Sequence, residues 1–306
     1  MLLTLNSDQA GHPRHGRRRR QTDTEVWDAF ALKRERHRQW TNEVALPVTN
    51  WLIGAVAVQP SETVLELAAG AGDVGFAILE RARKGVRLLS SDLSSAVVDV
   101  ARRAAAERGL NGIEFLVLDA QDLDMPSASV DAVVCRWGYM LMEDPAAALR
   151  ETARVLRPGG RLALSVWGDP IRNPWTTIDA EVLAHVGYTP IAAPTDPGGM
   201  FSLAEPDRLR AMVQASGLAD RRTENIPVEL PYSGVEDYIV QEIDQPGRRG
   251  DFFRDLTGEK REQASQLATR LLEPYRSDAG YLVPGETLNV LASKGRIGSQ
   301  AVSSGR

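Results

Sequence analysis

Across residues 61–167 the chain alternates short apolar runs with stretches of helical period. The runs are TVLEL at 63–67, GVRLLSSD at 85–92, IEFLVLDA at 113–120, VDAVVCRWG at 130–138 and RLALSVW at 161–167. Runs this short between turn signals read as buried strands. The intervening segments predict helices over 73–82, over 95–108 closed by Gly109, and over 145–156 stopped by Pro158-Gly159-Gly160. Strands joined by helical crossovers pair in parallel, and right-handed crossovers cover both faces of the sheet. The pattern therefore predicts an α/β fold, a Rossmann-like doubly wound sheet.

The flanks extend this core. Residues 24–57 read as helical with Pro47 as an interruption, and 173–187 as a helix stopped by Gly187. A turn-rich stretch at 189–201 precedes a helix at 205–218 and a strand at 219–230. Residues 234–277 read as mostly helical, and 280–293 as strand broken by a Pro284-Gly285 turn. The expected organisation is a disordered basic tail at 1–22, one domain at 23–293 and a polar tail at 294–306. Within the domain, 24–57 would be a helical lid, 61–167 the cofactor-binding core, and 168–293 the substrate-covering helices and last strands.

Composition narrows the function. A hydrophobic share of 43% in 306 residues is enough for a sizeable core. Cys135 is the sole cysteine, which excludes an internal disulfide and a cysteine-based zinc site. The histidines, at 12, 15, 37 and 185, form no metal constellation. Residues 1–20 hold five arginines and one acid, a formal +4, so −9 falls on the remainder of a chain whose total is −5. An acidic body argues against nucleic acid as a partner. No apolar run approaches a membrane span, so membrane insertion is not expected. A cytoplasmic enzyme is the default, and a homodimer is left open.

The sequence VLELAAGAGDVG, residues 64–75, carries the chemistry. Gly70, Gly72 and Gly75 make G-x-G-x-x-G, the pattern of a loop that brings backbone close to a dinucleotide. Such a loop offers its diphosphate the N–H groups and positive end of the next helix. Glu66, in the strand just before, would repel that diphosphate. S-Adenosylmethionine has an ammonium and a sulfonium, which the same carboxylate would attract. Asp92 follows Gly72 by 20 positions at the end of the second run, where ribose hydroxyls are bound in either cofactor class. Asp119 ends the third run, where a carboxylate can accept from an adenine amino group beside the Ala120 N–H.

The ordered set VLELAAGAGDVG, LLSSDLSSAVVDVARRAA, IEFLVLDAQDLDMPSASVDAVVCRWGYMLMEDP and LRETARVLRPGGRLALSVWG resembles the class I S-adenosylmethionine-dependent methyltransferases. It is most similar to the small-molecule group (methyltransferase type 11) that includes the ubiquinone/menaquinone-biosynthesis C-methyltransferases. The resemblance implies a mostly parallel sheet with an antiparallel final strand, and S-adenosyl-L-methionine as cofactor. It implies that Glu66 and the backbone of Ala68, Gly70 and Gly72 hold the methionine part. Asp92 would bind the ribose with Leu93 beside the adenine, and Asp119 and Ala120 would read the adenine edge. The carbonyls around Cys135 and Arg136 would receive the ammonium. Alanine at 68 stands where the family usually has glycine, which predicts a slightly displaced loop.

The expected reaction is methyl transfer to O, C or N of a small organic acceptor, by in-line displacement driven by positioning. Residues 137–145 should form the acceptor rim, and Trp27, Phe30 and Trp40 part of its lid. Tyr139, Trp175 and His185 are the catalytic candidates, although each also fits packing or a helix end. Arg136 or Arg172 would suit an acidic acceptor. Two alternatives stay open: an NAD(P)-dependent oxidoreductase using the same glycine loop, and a non-catalytic cofactor-binding or scaffold protein.

Overall fold

The structure is a computed structural model and describes residues 27–28, 36–82, 85–245 and 247–296. The expected basic tail, Phe30 and most of the polar tail lie outside the described residues. The described helices are α1 (Arg38–Val56), α2 (Asp73–Arg81), α3 (Ser95–Glu107), α4 (Pro145–Val155), α5 (Pro174–His185), α6 (Pro206–Ala215), α7 (Val235–Ile243), α8 (Gly247–Arg254) and α9 (Gly258–Leu272). The strands are β1 (Thr63–Glu66), β2 (Arg87–Asp92), β3 (Ile113–Val117), β4 (Val130–Arg136), β5 (Leu156–Trp167), β6 (Leu218–Tyr232), β7 (Arg276–Ser277) and β8 (Gly280–Lys294).

The strands make one sheet in the order β3-β2-β1-β4-β5-β8-β6, with β7 paired to β8. From β1 to β5 every pairing is parallel, while β8 runs antiparallel to both β5 and β6. The chain winds from β1 outward to β3, then returns to β4 on the other side of β1. Right-handed crossovers therefore put α2 and α3 on one face and α4 on the other. Helix α1 joins α2 and spans β4, β5, β6 and β8, while α6 packs with α4. The reversal leaves a crevice between the C-terminal ends of β1 and β4, where ligands bind in sheets of this kind.

Three proline or glycine signals behave differently from expectation. Helix α1 runs through Pro47 without a break. Pro47 removes the N–H that would bond the Glu43 carbonyl, and both residues are exposed, so the helix need not bury that loss. Pro158-Gly159-Gly160 lies inside β5: Val130 pairs with Leu156 and Ala132 already with Arg161, so residues 157–160 bulge against Asp131. Gly160 is needed there, because a Cβ would lie 2.8 Å from the Arg157 carbonyl oxygen. Pro284-Gly285 is not a turn but part of β8, in register with Glu229 and Val228 of β6. The β5 pairing begins only at Thr287, so the proline stands where the strand has one flank open.

Gly285 also lets Asn173 approach. A Cβ on Gly285 would lie 3.1 Å from Asn173 Oδ1. Asn173 Nδ2 donates to the Glu286 carbonyl, and the Glu286 N–H donates back to Asn173 Oδ1, both at 3.0 Å. The side chain just before α5 is thereby stitched to the sheet.

Candidate functional site

The site starts where β1 runs out. Ala68, Gly70 and Gly72 all take left-handed backbone, with φ of 50°, 59° and 81°. The Gly70 N–H donates to Asp92 Oδ2 at 3.0 Å, and the Ser94 N–H to Asp92 Oδ1 at 3.3 Å. The end of β2 thus holds the loop. At Ala68, alanine itself takes the left-handed backbone that favours glycine. Its methyl group is accommodated because residue 138 is glycine, where a Cβ would come within 2.7 Å of the Ala68 Cβ.

Glu66 is not part of the cleft wall. It is 2% exposed and lies behind the loop, against the start of α2. A Cβ on Gly75 would lie 2.4 Å from Glu66 Oε2, so the third glycine of the motif makes room for this carboxyl. Burial pushes the Glu66 pKa up to about 7, against the opposing pull of the Gly75 N–H and the Arg136 charge. Glu66, expected to hold a methionine part, is thus not among the residues lining the cleft and sits beside the start of α2. Gly72 caps α2 behind the cleft, with Phe76 where its Cβ would be. Cys135 is fully buried, and burial pushes its thiol up to about 12.

A further buried acid went unread in the sequence. Asp73, the first residue of α2, takes hydrogen bonds from Arg38 Nε at 3.0 Å and Nη2 at 2.7 Å. Burial alone would raise its pKa, but the Arg38 hydrogen bonds and the Arg38 and Arg136 charges hold it below the usual range. This ties α1 to the glycine loop.

The cleft above the loop has a volume of about 830 Å³. Ala68, Gly70 and Arg136 line it, with Asp92, Leu93, Asp119 and Ala120 along one flank. Asp119 Oδ1 accepts from the Gln121 N–H at 2.9 Å and from Gln121 Nε2 at 3.1 Å. Seven of the ten residues expected to bind cofactor therefore come together here; Glu66, Gly72 and Cys135 stand behind. Trp137, Leu141 and Met142 line the opposite flank, as expected for the rim after β4. Trp137 has φ of 60°, and its indole stacks on Trp167 with centroids 4.8 Å apart. Trp27 also lines the cleft, and the neighbouring Asp28 accepts a hydrogen bond from Ser94 Oγ. A second hollow of about 410 Å³, beside Tyr188 and Phe252, contains none of these residues.

None of the three catalytic candidates lines the cleft. Tyr139 is fully buried, its hydroxyl 2.6 Å from Thr152 Oγ1, and burial raises its pKa. Trp175 is buried against Trp167 and Phe201, with Nε1 donating to Asn173 Oδ1. His185 is exposed in the last turn of α5, although Ile178 and Val182 on the same helix are buried. Trp40 donates from Nε1 to the Pro231 carbonyl at 2.6 Å and is not among the residues lining the cleft. The cleft residues Gln121, Glu143, Ile191, Pro197 and Gly198 were not foreseen individually.

A methyltransferase-domain family matches residues 65–164. A demethylmenaquinone methyltransferase of Deinococcus radiodurans is 33% identical over 171 residues, covering 52% of this chain and 68% of the relative. The enzyme of the same name from Thermus thermophilus is 31% identical over 173 residues, covering 52% and 74%. The chain belongs to the class I S-adenosylmethionine-dependent methyltransferases. The fold agrees: the YcgJ protein from Bacillus subtilis superposes with a TM-score of 0.53 at 21% identity, over 81% of this chain and 98% of that one.

This methyltransferase uses S-adenosylmethionine, and the nicotinamide alternative is set aside with that assignment. The residues present fit the cofactor. Its amino-acid part needs close backbone approach, supplied by the left-handed loop. Its ribose and adenine offer hydroxyl and amino donors, and the flank of the cleft presents Asp92 and Asp119. Among the described residues, no helix of the methyltransferase is long and apolar enough to cross a membrane.

Proposed function

We propose that this methyltransferase transfers its methyl group to O, C or N of a small organic acceptor, by an in-line displacement that rests on positioning. One observation carries the reading: the cleft at the β1/β4 reversal presents Asp92 and Asp119 from the ends of β2 and β3 and, after β4, the largely apolar wall of Trp137, Leu141 and Met142. Asp92 binds the ribose, with Leu93 beside the adenine, and Asp119 and the Ala120 N–H read the adenine edge. The backbone of Ala68 and Gly70 and the carbonyl of Arg136 hold the methionine part, with Glu66, Gly72 and Cys135 backing them. When bound, the cofactor supplies an electrophilic methyl group on sulfur. The wall formed by Trp137, Leu141 and Met142 holds the acceptor opposite and excludes water.

Tyr139, Trp175 and His185 stand outside the cleft lining, so the reading assigns none of them a proton transfer. An acceptor that arrives already nucleophilic, as a neutral electron-rich ring does, needs no protein base. The test is calorimetric titration with S-adenosylhomocysteine and with NAD. Wild type is expected to bind only the first. Asp92→Ala should lose about 1.5–3 kcal/mol of that affinity, the range for hydrogen bonds to a charged group. Unchanged affinity in folded Asp92→Ala would remove the ribose role.

A further inference from the structure

The acceptor flank differs from the cofactor flank in both polarity and charge. Its wall is Trp137, Leu141 and Met142 from the segment after β4, with Glu143 next in sequence, and Ile191 and Pro197 from the turn-rich stretch complete the lining. Of the titratable groups lining the cleft, Asp92, Asp119 and Glu143 are carboxylates, and Arg136 is the sole cation among the described lining residues. Arg136 is 9% exposed; it donates to Thr49 Oγ1 at 2.7 Å and lies over the Trp137 indole at 5.4 Å from its centroid. Arg172, the other cation considered for an acidic acceptor, is exposed and outside the lining. An acceptor with an acid group would enter a cleft dominated by like charge.

Ile191 stands out on this flank. Its side chain is 80% exposed, yet it lines the cleft. A lone exposed isoleucine on a surface is ordinary; one at the mouth of an apolar cleft has an apolar ligand available to cover it. The loop that carries it is folded on itself. The Ala193 N–H donates to Asp196 Oδ2 and the Phe201 N–H to the Pro194 carbonyl, both at 2.8 Å. Gly199 permits that closure, because a Cβ there would lie 2.4 Å from the Pro194 oxygen. Ser202 Oγ then donates to the Met140 carbonyl at 2.6 Å, seating the loop on the turn that follows β4. Ile191 is thus presented at the cleft beside the Trp137–Met142 wall by a hydrogen-bonded loop.

We propose that Ile191 is a specificity-determining residue of this methyltransferase, covering the apolar body of an uncharged acceptor held against Trp137 and Met142. The proposal rests on the methyltransferase reading above and adds the acceptor's chemical class. Two fluorophores built on the same ring pair separate the possibilities: uncharged N-phenylnaphthylamine and anionic anilinonaphthalene sulfonate. Each is titrated into wild type, Ile191→Asp, Ile191→Leu and Met142→Asp, all saturated with S-adenosylhomocysteine. Wild type should bind the uncharged probe at least about tenfold tighter than the sulfonate. Ile191→Asp and Met142→Asp should each weaken the uncharged probe by about tenfold or more, whereas Ile191→Leu should stay within about threefold. Affinity of both Ile191 variants for S-adenosylhomocysteine should match wild type. Equal or tighter sulfonate binding would overturn the uncharged class. An unchanged probe affinity in Ile191→Asp, or a parallel loss of S-adenosylhomocysteine affinity, would overturn the role of Ile191. Failure of wild type to bind S-adenosylhomocysteine would instead count against the methyltransferase reading itself.

Discussion

Ala68 and Gly138 divide one small space between them. Left-handed backbone costs an alanine about 1–2 kcal/mol, and Ala68 bears that cost beside the cofactor cleft. Glycine would relieve it, but would also gain freedom in the unfolded chain, returning about 0.4–1 kcal/mol. Strain relief is the larger effect, so Ala68→Gly should stabilise the protein by about 0.5–1 kcal/mol in urea denaturation. Gly138→Ala should destabilise by about 1–3 kcal/mol, because its methyl group would meet Ala68 Cβ at 2.7 Å and Cys135 Sγ at 2.6 Å. In the Ala68→Gly background one of those clashes disappears. The double-mutant cycle should therefore show a favourable coupling of at least about 0.5 kcal/mol. Strict additivity would mean that the two residues do not share the space. At this scale the sequence was partly legible. Asp92 and Asp119 could be placed because they follow apolar runs whose ends point at the ligand crevice. Tyr139 could not: a short 3₁₀ turn, Tyr139–Leu141, sends its ring inward to Thr152. Ile191, Pro197 and Gly198 reach the cleft through contacts with the chain around Met140, which no local pattern announces.

Among the elements, β1 to β5 and the helices between them were readable because apolar runs and helical periods alternate cleanly. The errors cluster at proline and glycine, whose local preferences were outvoted by packing. Residues 158–160 are drawn into β5 by pairing with β4, and residues 284–285 into β8 by pairing with β6. Helix α1 survives Pro47 because its other face is held along its length. Val44, Val48 and Leu52 are buried, Arg38 grips Asp73, and Trp51 Nε1 donates to Glu224 Oε2 at 2.6 Å. The proline still carries a local cost. In an isolated helix it is about 3 kcal/mol worse than alanine, offset by about 0.4–1 kcal/mol from a stiffer unfolded chain. Position 47 is exposed, so alanine there disturbs no packing. Pro47→Ala should raise stability by about 2–2.5 kcal/mol, read as a higher denaturation midpoint at unchanged slope. A lower midpoint would mean that the proline shapes α1 to fit the sheet.

On the scale of the whole molecule, sequence order and spatial order part company at β8. This last described strand lies between β5 and β6, not at an edge. It pairs with β5 from Arg161 to Trp167 and with β6 along nearly its full length. The segment matched by the methyltransferase-domain family, 65–164, therefore ends on a strand whose open edge is closed by residues more than a hundred positions later. Leu162, Leu164 and Val166 of β5 are fully buried in the intact sheet, as are Val283, Val290 and Ala292 of β8, with Tyr281 and Leu288 nearly so. A chain ending at residue 279 would lose these β8 side chains from the core and leave β6 without a partner strand. Each large apolar side chain removed from water is worth about 1.5–3 kcal/mol, and a domain's net stability is about 5–15 kcal/mol. Four such side chains, Tyr281, Val283, Leu288 and Val290, bring the loss into the range of the whole net stability. The truncated chain is therefore expected to show no cooperative unfolding transition and no calorimetric binding of S-adenosylhomocysteine, although every residue lining the cleft is still present. A soluble truncated chain that unfolds cooperatively and binds S-adenosylhomocysteine like wild type would show that the cofactor half folds independently of the strand that completes its sheet.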